Sequence, residues 1–497
     1  MLPVVSSAAE NPNDWGVHKI WGSKSLDKIS EVRGGYVIVE WKDINPAPGK
    51  FDFSIFDSEL ARYRKLGKRV TIAIRGKFKP DFLFNEVPYH PQRLALGVHD
   101  PKGSLAYWHP TYKKRYQELL QAFDNYLNSS PNKSTVYSIR QNINALGTEH
   151  SGIPQDKQAR SQWIIPPGVN FVPYSSTENS RYKIFVSQTY YDLFVSDYLV
   201  LVRSVLLASS ESNLPQVVLR AIEDGRIGLV HTSSVPEPPS GSTEKKYKVH
   251  IQYGKNGSTR IYAEPYSDSR RGPQPRPQWN YWRLLSDLHA GVSFLSVYGA
   301  DLEQSSDLEF ASAFDFANRY AGYQTGNAVT SSPGAWVALR EGGKFLTGDY
   351  TFLMSRMSGD ASVALESVGP NWQRFGAWAR RINANGRMRF KLDDRFANAI
   401  RGQNVTVRVV YFNSKSPGFS IETSGSKKDF AGGGTGTWKT VEMTVAASDF
   451  VGNSGADITI RAKTDVVLHM VEIVRNGSAG AVAGNAPPKA PTSIVVN

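Results

Sequence analysis

At 497 residues the chain is too long for one ordinary hydrophobic core, so two or more domains are expected. The absence of cysteine excludes disulfides, thiolate metal sites and cysteine nucleophiles, and no run approaches the roughly 18 apolar residues that a membrane-spanning helix needs. A net charge of +13 reads either as a solubility surface or as attraction to a polyanion; the basic residues are dispersed and form no nucleic-acid motif, so of the polyanions an acidic polysaccharide is preferred over nucleic acid.

The first residues, MLPVVSSAAENPND, carry neither a basic n-region nor an apolar core. They read as a mature start from which a signal peptide has been removed, with a secreted, periplasmic or cell-surface location expected. A periodic pattern then begins. VHKIWG (17–22) reads as a strand and SLDKISEV (25–32) as a helix. GYVIVEW (35–41) is a strand, and residues 51–67 form an amphipathic helix ended by Gly67. RVTIAIR (69–75) is the third strand, 110–127 a helix opened by Pro110, and VYSIRQNINALG (136–147) the fourth strand. The run 187–208 is ambiguous and divides into a helix and a strand. Residues 214–225 read as helix, 226–235 as strand, 260–268 as strand, 278–291 as a helix closed by Gly291, 292–299 as strand and 308–322 as helix.

Eight strands alternating with helical segments over some 300 residues predict an α/β protein, a (β/α)8 TIM barrel over 15–325. A doubly wound open sheet would often carry a glycine-rich phosphate loop after its first strand, and none is present. From about residue 330 to 478 the texture changes to short alternating runs such as RMRFKLDD, NVTVRVVYFN and TWKTVEMTVA, separated by glycine-rich turns. These predict a C-terminal antiparallel β-sandwich domain, an accessory module resembling carbohydrate-binding ones. Its aromatics Tyr411, Phe412 and Trp438 read as core. The tail 479–497 is small, proline-bearing and polar, as in a linker or a disordered end.

In such a barrel the active site lies at the C-terminal ends of the strands. Glu149 follows the fourth strand and Glu264 ends the seventh, so the two carboxylates are expected to face each other across the mouth. One can protonate a glycosidic oxygen while the other attacks the anomeric carbon or activates water. Glu40, at the end of strand two, is the rival acid. Arg75 ends strand three, placed to pair with Glu40 or Glu264 or to hold an acidic substrate group. Trp41, His150, His231, Asn144, Tyr262, Tyr266, Trp279 and Tyr298 are the candidate substrate contacts, with core packing as the competing role for the aromatics and an ordinary strand polar as the one for Asn144. No spacing of His, Asp or Glu suggests a metal, and no cofactor is called for.

The pair of acids on strands four and seven resembles clan A of the glycoside hydrolases. The segment with Trp41, Ile44, Pro46, Gly49, Phe51 and Phe53 resembles the W-x-x-[IL]-x-P-x-x-G-x-[FY]-x-[FW] stretch of β-galactosidase-like barrels. The fourth strand ending GTEH is similar to the same group, and TWKTVEMTVAASDF resembles a sandwich appended to some members. The resemblance implies a retaining hydrolase of polysaccharides or oligosaccharides, with Glu149 as acid/base and Glu264 as nucleophile. Many members place Asn before the acid/base to bind the sugar 2-hydroxyl; Thr148 stands there in this chain. The resemblance implies a galactose-containing glycan, and the charge an anionic, sulfated one such as an algal galactan. Arg75, Arg270, Arg271 and Arg276 would suit sulfate or carboxylate, which guanidinium groups clamp with paired hydrogen bonds. The alternative function is a non-catalytic carbohydrate-binding or scaffold protein with a degenerate barrel.

Overall fold

The computed structural model describes residues 12–203, 227–236, 247–257, 259–265, 273–340, 348–450 and 455–476. Eight parallel strands close into a barrel: β1 (Gly16–Lys19), β2 (Gly34–Glu40), β3 (Arg69–Arg75), β4 (Val136–Arg140), β5 (Leu199–Arg203), β6 (Ile227–Ser234), β7 (Ile261–Pro265) and β8 (Phe294–Val297). Each strand pairs with its sequence neighbours, and β1 closes the ring on β8. β3 shows why the sequence folds this way. Its five central residues, Val70 to Ile74, are all buried, as expected of a strand covered inside by the barrel core and outside by helices.

The main helices are α1 (Ser54–Lys65), α2 (Pro110–Ser129), α3 (Ser176–Phe194), α4 (Arg276–His289) and α5 (Leu308–Tyr320). Proline at the first position of α2 needs no intrahelical donor, and the His109 side chain caps the Thr111 amide. The ambiguous run 187–208 resolves into the end of α3 and β5. The helix expected at 214–225 lies outside the described residues. SLDKISEV forms only a 3-10 turn, Lys24–Lys28, and the strand expected over 17–22 ends at Lys19.

The fourth strand departs further. It stops at Arg140 rather than running to residue 147. Asn144 adopts φ 50° and Gly147 φ 71°, which breaks the extended run.

The C-terminal part is two antiparallel sheets. The long strand Val466–Arg475 pairs with Gly334–Ala338 and Trp378–Ile382 on one side and Asn404–Asn413 on the other, and Asn404–Asn413 pairs in turn with Thr437–Ala446. The second sheet centres on Arg387–Leu392, Ile458–Ala462 and Gly418–Glu422. Val405, Val407 and Val409 from the first sheet share one buried core with Phe390, Phe419 and Ile460 from the second. Trp438 and Tyr411 are buried in that core, with Phe412 packed against it.

The two parts are joined through α4. Every residue from Gln278 to His289 is buried, although most barrel helices keep one face in water. The sandwich supplies the cover. Trp282 meets the Trp378 ring edge-on at 4.9 Å and His469 at 5.0 Å, and the Tyr281 hydroxyl lies 3.0 Å from His469 Nε2. On the barrel side, the Ser234 hydroxyl of β6 donates to Asp287, which also pairs with Arg283 at 3.1 Å. Burial pushes Asp287 up to about 6, with Arg283 opposing the shift. Among the described residues no helix is long and apolar enough to cross a membrane.

Because Trp282 is fully buried between both parts, Trp282→Ala should lower stability by about 3–5 kcal/mol in chemical denaturation. Stability within about 0.5 kcal/mol of the parent would contradict a shared core.

Candidate active site

The barrel's register brings charged side chains together at the C-terminal ends of the strands. Glu40 lies opposite Arg75, and the two form an ion pair of 2.6 Å. Glu40 also accepts the Lys77 amide at 3.1 Å, and the Arg75 guanidinium lies 5.5 Å from the centre of the Trp21 ring. Glu40 is thus held by the scaffold on the β2–β3 side.

The centre of the mouth is Arg140, the last residue of β4. One terminal nitrogen donates to Glu264 on β7 and, at 3.0 Å, to the Tyr36 hydroxyl on β2; the other donates to Glu149. The second oxygen of Glu149 pairs with Arg203, the last residue of β5. The side chains of Arg140 and Glu149 are each 9% exposed and that of Glu264 is 16% exposed, so none could be left unpaired without a large desolvation cost. Two cations and two anions alternate, and the group is neutral as a whole. Burial raises the pKa of Glu264, Arg140 works against that shift, and the neighbouring Glu149 adds to it. Burial likewise holds the Tyr36 phenol above its ordinary range.

Glu149 is delivered by a stretch of buried, irregular backbone. Such backbone must find partners for its carbonyls, and three tyrosines supply them. Tyr116 of α2 donates to the Asn142 carbonyl at 2.9 Å, Tyr182 of α3 to Ile143 at 2.7 Å, and Tyr112 of α2 to Asn144. The Asn142 and Asn144 side chains donate to the Ile74 carbonyl of β3 at 2.8 and 3.0 Å. Two backbone bonds, Asn144 N–H to Thr148 O at 2.7 Å and Leu146 N–H to His150 O at 2.8 Å, then fold the chain back so that Glu149 meets Arg140. Lys79 pins the neighbouring loop, its ammonium donating to the carbonyls of Gly76, Ala145 and Gly147. Burial brings Lys79 down to about 7.

Several expected contacts lie deeper. Trp41 is fully buried, donates to Asn45 at 3.0 Å and packs on Tyr112 and Tyr116. Asn144, Tyr262 and Trp279 are also enclosed, and these four side chains belong to the framework under and around the mouth. An enclosed ring has no face to offer a sugar. Tyr298 is half-buried, donating to the Pro265 carbonyl at 3.1 Å, and His150 is exposed beside the mouth. The side chain of His231, and all of Tyr266, Arg270 and Arg271, lie outside the described residues. Arg140, Arg203, Tyr36 and Trp21 are mouth residues that sequence reading passed over. The signal was present: SIR and LVLVR each end an otherwise apolar strand in arginine, the pattern that drew attention to Arg75. Among the described residues no group of three or more His, Asp or Glu could hold a metal ion.

No family model and no curated protein matches the chain. Among solved structures it is similar to the catalytic domain of a β-amylase from Paenibacillus polymyxa, with 10% identity, 63% of this chain and 99% of that one covered, and a TM-score of 0.39. It is also similar to a thermostable mutant of a xylanase from Cellvibrio japonicus, with 10% identity, coverage of 61% and 98%, and a TM-score of 0.34. A C-terminal carbohydrate-binding module of a marine laminarinase from Zobellia galactanivorans is similar at 13% identity, coverage of 24% and 98%, and a TM-score of 0.17. Likenesses this distant carry no argument about activity; the barrel rests on its own closed strand pairing.

Replacing Arg140 by methionine leaves Glu149 and Glu264 facing each other without their shared cation. The variant should lose about 3–5 kcal/mol in urea denaturation. An unchanged midpoint would mean that the ion pairs do not form in solution.

Proposed function

We propose that the protein is a retaining glycoside hydrolase that degrades a polysaccharide at the barrel mouth. The observation that carries this reading is the placement of Glu149, from the loop after β4, and Glu264, from the end of β7, on one guanidinium. Retention asks for carboxyl groups about 5–5.5 Å apart, against roughly 6.5–9.5 Å for inversion. Both carboxylates reach one guanidinium, Glu264 through one terminal nitrogen and Glu149 through the other.

With Glu149 protonated in the reacting complex, Glu264 attacks the anomeric carbon while the bond to the leaving oxygen breaks and Glu149 gives that oxygen its proton. Glu149 then takes a proton from water, whose oxygen attacks the same carbon and releases Glu264. Arg140 holds the nucleophile in place and stabilises its ionised form against desolvation. The direction of the Glu264 shift limits the working range. A buried carboxyl with a raised pKa stays protonated, and so unreactive, through the pH range where an ordinary glutamate has already ionised.

The finer proposal is a galactose-containing, anionic glycan such as a sulfated galactan, supported by the β-galactosidase-like segment and the net charge of +13. Arg75 is engaged by Glu40 and Arg276 pairs with Asp301 at 3.1 Å, so neither is counted toward the anion clamp. A secreted, periplasmic or cell-surface enzyme goes with such a substrate. One feature favours the non-catalytic alternative: both oxygens of Glu149 are taken by guanidinium groups.

Glu264→Gln should abolish turnover, and Glu149→Gln should slow it by roughly 10²–10⁴-fold. Full activity in both variants would remove this catalytic pair, and no turnover of any polysaccharide by the parent would favour a binding protein. The acidic limb of kcat/KM should lie above the ordinary glutamate pKa of about 4.3. It should move to still higher pH in an Arg140→Lys variant whose shorter reach weakens the pair. A profile flat from about pH 4 to 9 would contradict this assignment. Activity on sulfated galactan should fall as salt screens the attraction; cleavage of neutral galactan alone, indifferent to salt, would remove the anionic substrate.

A further inference from the structure

Trp372 stands on a sandwich loop and is 58% exposed, an unusual position for an indole when the other sandwich tryptophans are enclosed or half-enclosed. The loop that carries it is well fixed. Val368 and Gly376 pair across its base at 2.8 Å, and the Gln373 amide donates to the Pro370 carbonyl at 3.2 Å. Residues on the C-terminal side of the indole are anchored to the barrel. The Gln373 carbonyl accepts from Gln278 at 3.1 Å, and the Arg374 amide and guanidinium donate to Glu309 at 2.7 and 3.0 Å. The Gln373 side chain accepts the Trp438 amide at 3.1 Å, tying the same loop to its own sheet.

These anchors fix where the indole stands. Gln278 is in the first turn of α4, which follows β7, and Glu309 is in the first turn of α5, which follows β8. A helix that follows a barrel strand starts at that strand's C-terminal end, which is the mouth side. The sandwich therefore reaches the rim of the barrel at the β7–β8 sector, next to the strand that carries Glu264. Leu308, 52% exposed, precedes Glu309 and shares this sector. Trp21, 43% exposed, follows β1, the neighbour of β8; its carbonyl packs against Gly299 just after β8, while its ring reaches away to Arg75 on the β2–β3 side.

We infer that Trp372 is a stacking platform for the pyranose rings of a polysaccharide, lying outside the catalytic centre and extending the mouth across the β8 sector toward Trp21. The identity of the ligand rests on the hydrolase reading above. An indole face suits a sugar ring because the ring's C–H face is apolar and carries slight positive charge, while its hydroxyls remain in water. The surroundings favour a glycan over a protein or a lipid. Asn371, Gln373 and Arg374 are its chain neighbours, and single apolar side chains spaced along a rim fall short of the contiguous apolar area that a stable protein interface buries. Because the loop is already ordered, binding would cost little conformational entropy.

The test compares the full chain with Trp372→Ala and Trp372→Phe in depletion assays on insoluble xylan, galactan and cellulose. Turnover of short aryl glycosides is measured in parallel. Trp372→Ala should bind the retained polysaccharide about 10-fold more weakly, Trp372→Phe should recover most of that loss, and both should keep aryl-glycoside kcat within 2-fold of the parent. Equal retention of the alanine variant, no retention of the parent on any of the three, or an equal loss of aryl-glycoside turnover would overturn the proposal. So would a concentration-dependent dimer that Trp372→Ala abolishes, since the occupant would then be a second copy. Glu264→Gln is run alongside. If it remains active while Trp372→Ala loses binding, the catalytic assignment falls and the platform stands; the reverse pattern removes the platform alone.

Discussion

A buried guanidinium flanked by two buried carboxylates governs the architecture of the mouth. Arg140 is too enclosed to be solvated, and so are Glu149 and Glu264; each is tolerable in the interior because the others are there. Through this contact β4 is tied to β7, through Tyr36 to β2, and through Glu149 and Arg203 to β5. Four strands that are distant in sequence share one neutral charge network. The same enclosure that makes the network necessary raises the pKa of Glu264 and gives Arg140 its electrostatic leverage over that carboxyl.

Much of the local structure follows from getting Glu149 to that contact. β4 must end at Arg140, whose side chain faces inward, and the chain must then turn back within ten residues. It does so as irregular backbone inside the protein, where unpaired carbonyls are costly. The hydroxyls of Tyr112, Tyr116 and Tyr182 meet that requirement from the inner faces of α2 and α3, and Lys79 ties the turn to the loop after β3. Helix packing and site geometry are therefore one problem in this sector. On the opposite side, α4 performs a related task. It is buried on all sides because it is both a barrel helix and the floor on which the sandwich rests.

The sequence made the strands of the barrel legible where periodicity and burial agree. RVTIAIR is a strand over the same seven residues in both readings, and the ambiguous run 187–208 does contain a helix end and a strand. It misled where composition and backbone disagree. INALG is rich in strand-compatible residues, yet the left-handed Asn144 and Gly147 end the strand early. Position along the strands was enough to single out Glu149 and Glu264 as neighbours across the mouth. It was not enough to find Arg140, because a single arginine at the end of an apolar strand looks the same whether it faces inward or out. Nor could periodicity tell that Trp41 and Trp279 would be enclosed, since the segments that cover them are distant in the chain.

The proposed reaction depends on Glu264 forming a covalent bond to the sugar. Incubation with a panel of activated 2-deoxy-2-fluoro glycosides, including the galactoside, should abolish the protein's glycan turnover with time. Peptide mapping by mass spectrometry should then find one added fluoroglycosyl group on the peptide that contains Glu264. An adduct on another residue, or turnover of a natural glycan that yields the inverted anomer, would contradict it.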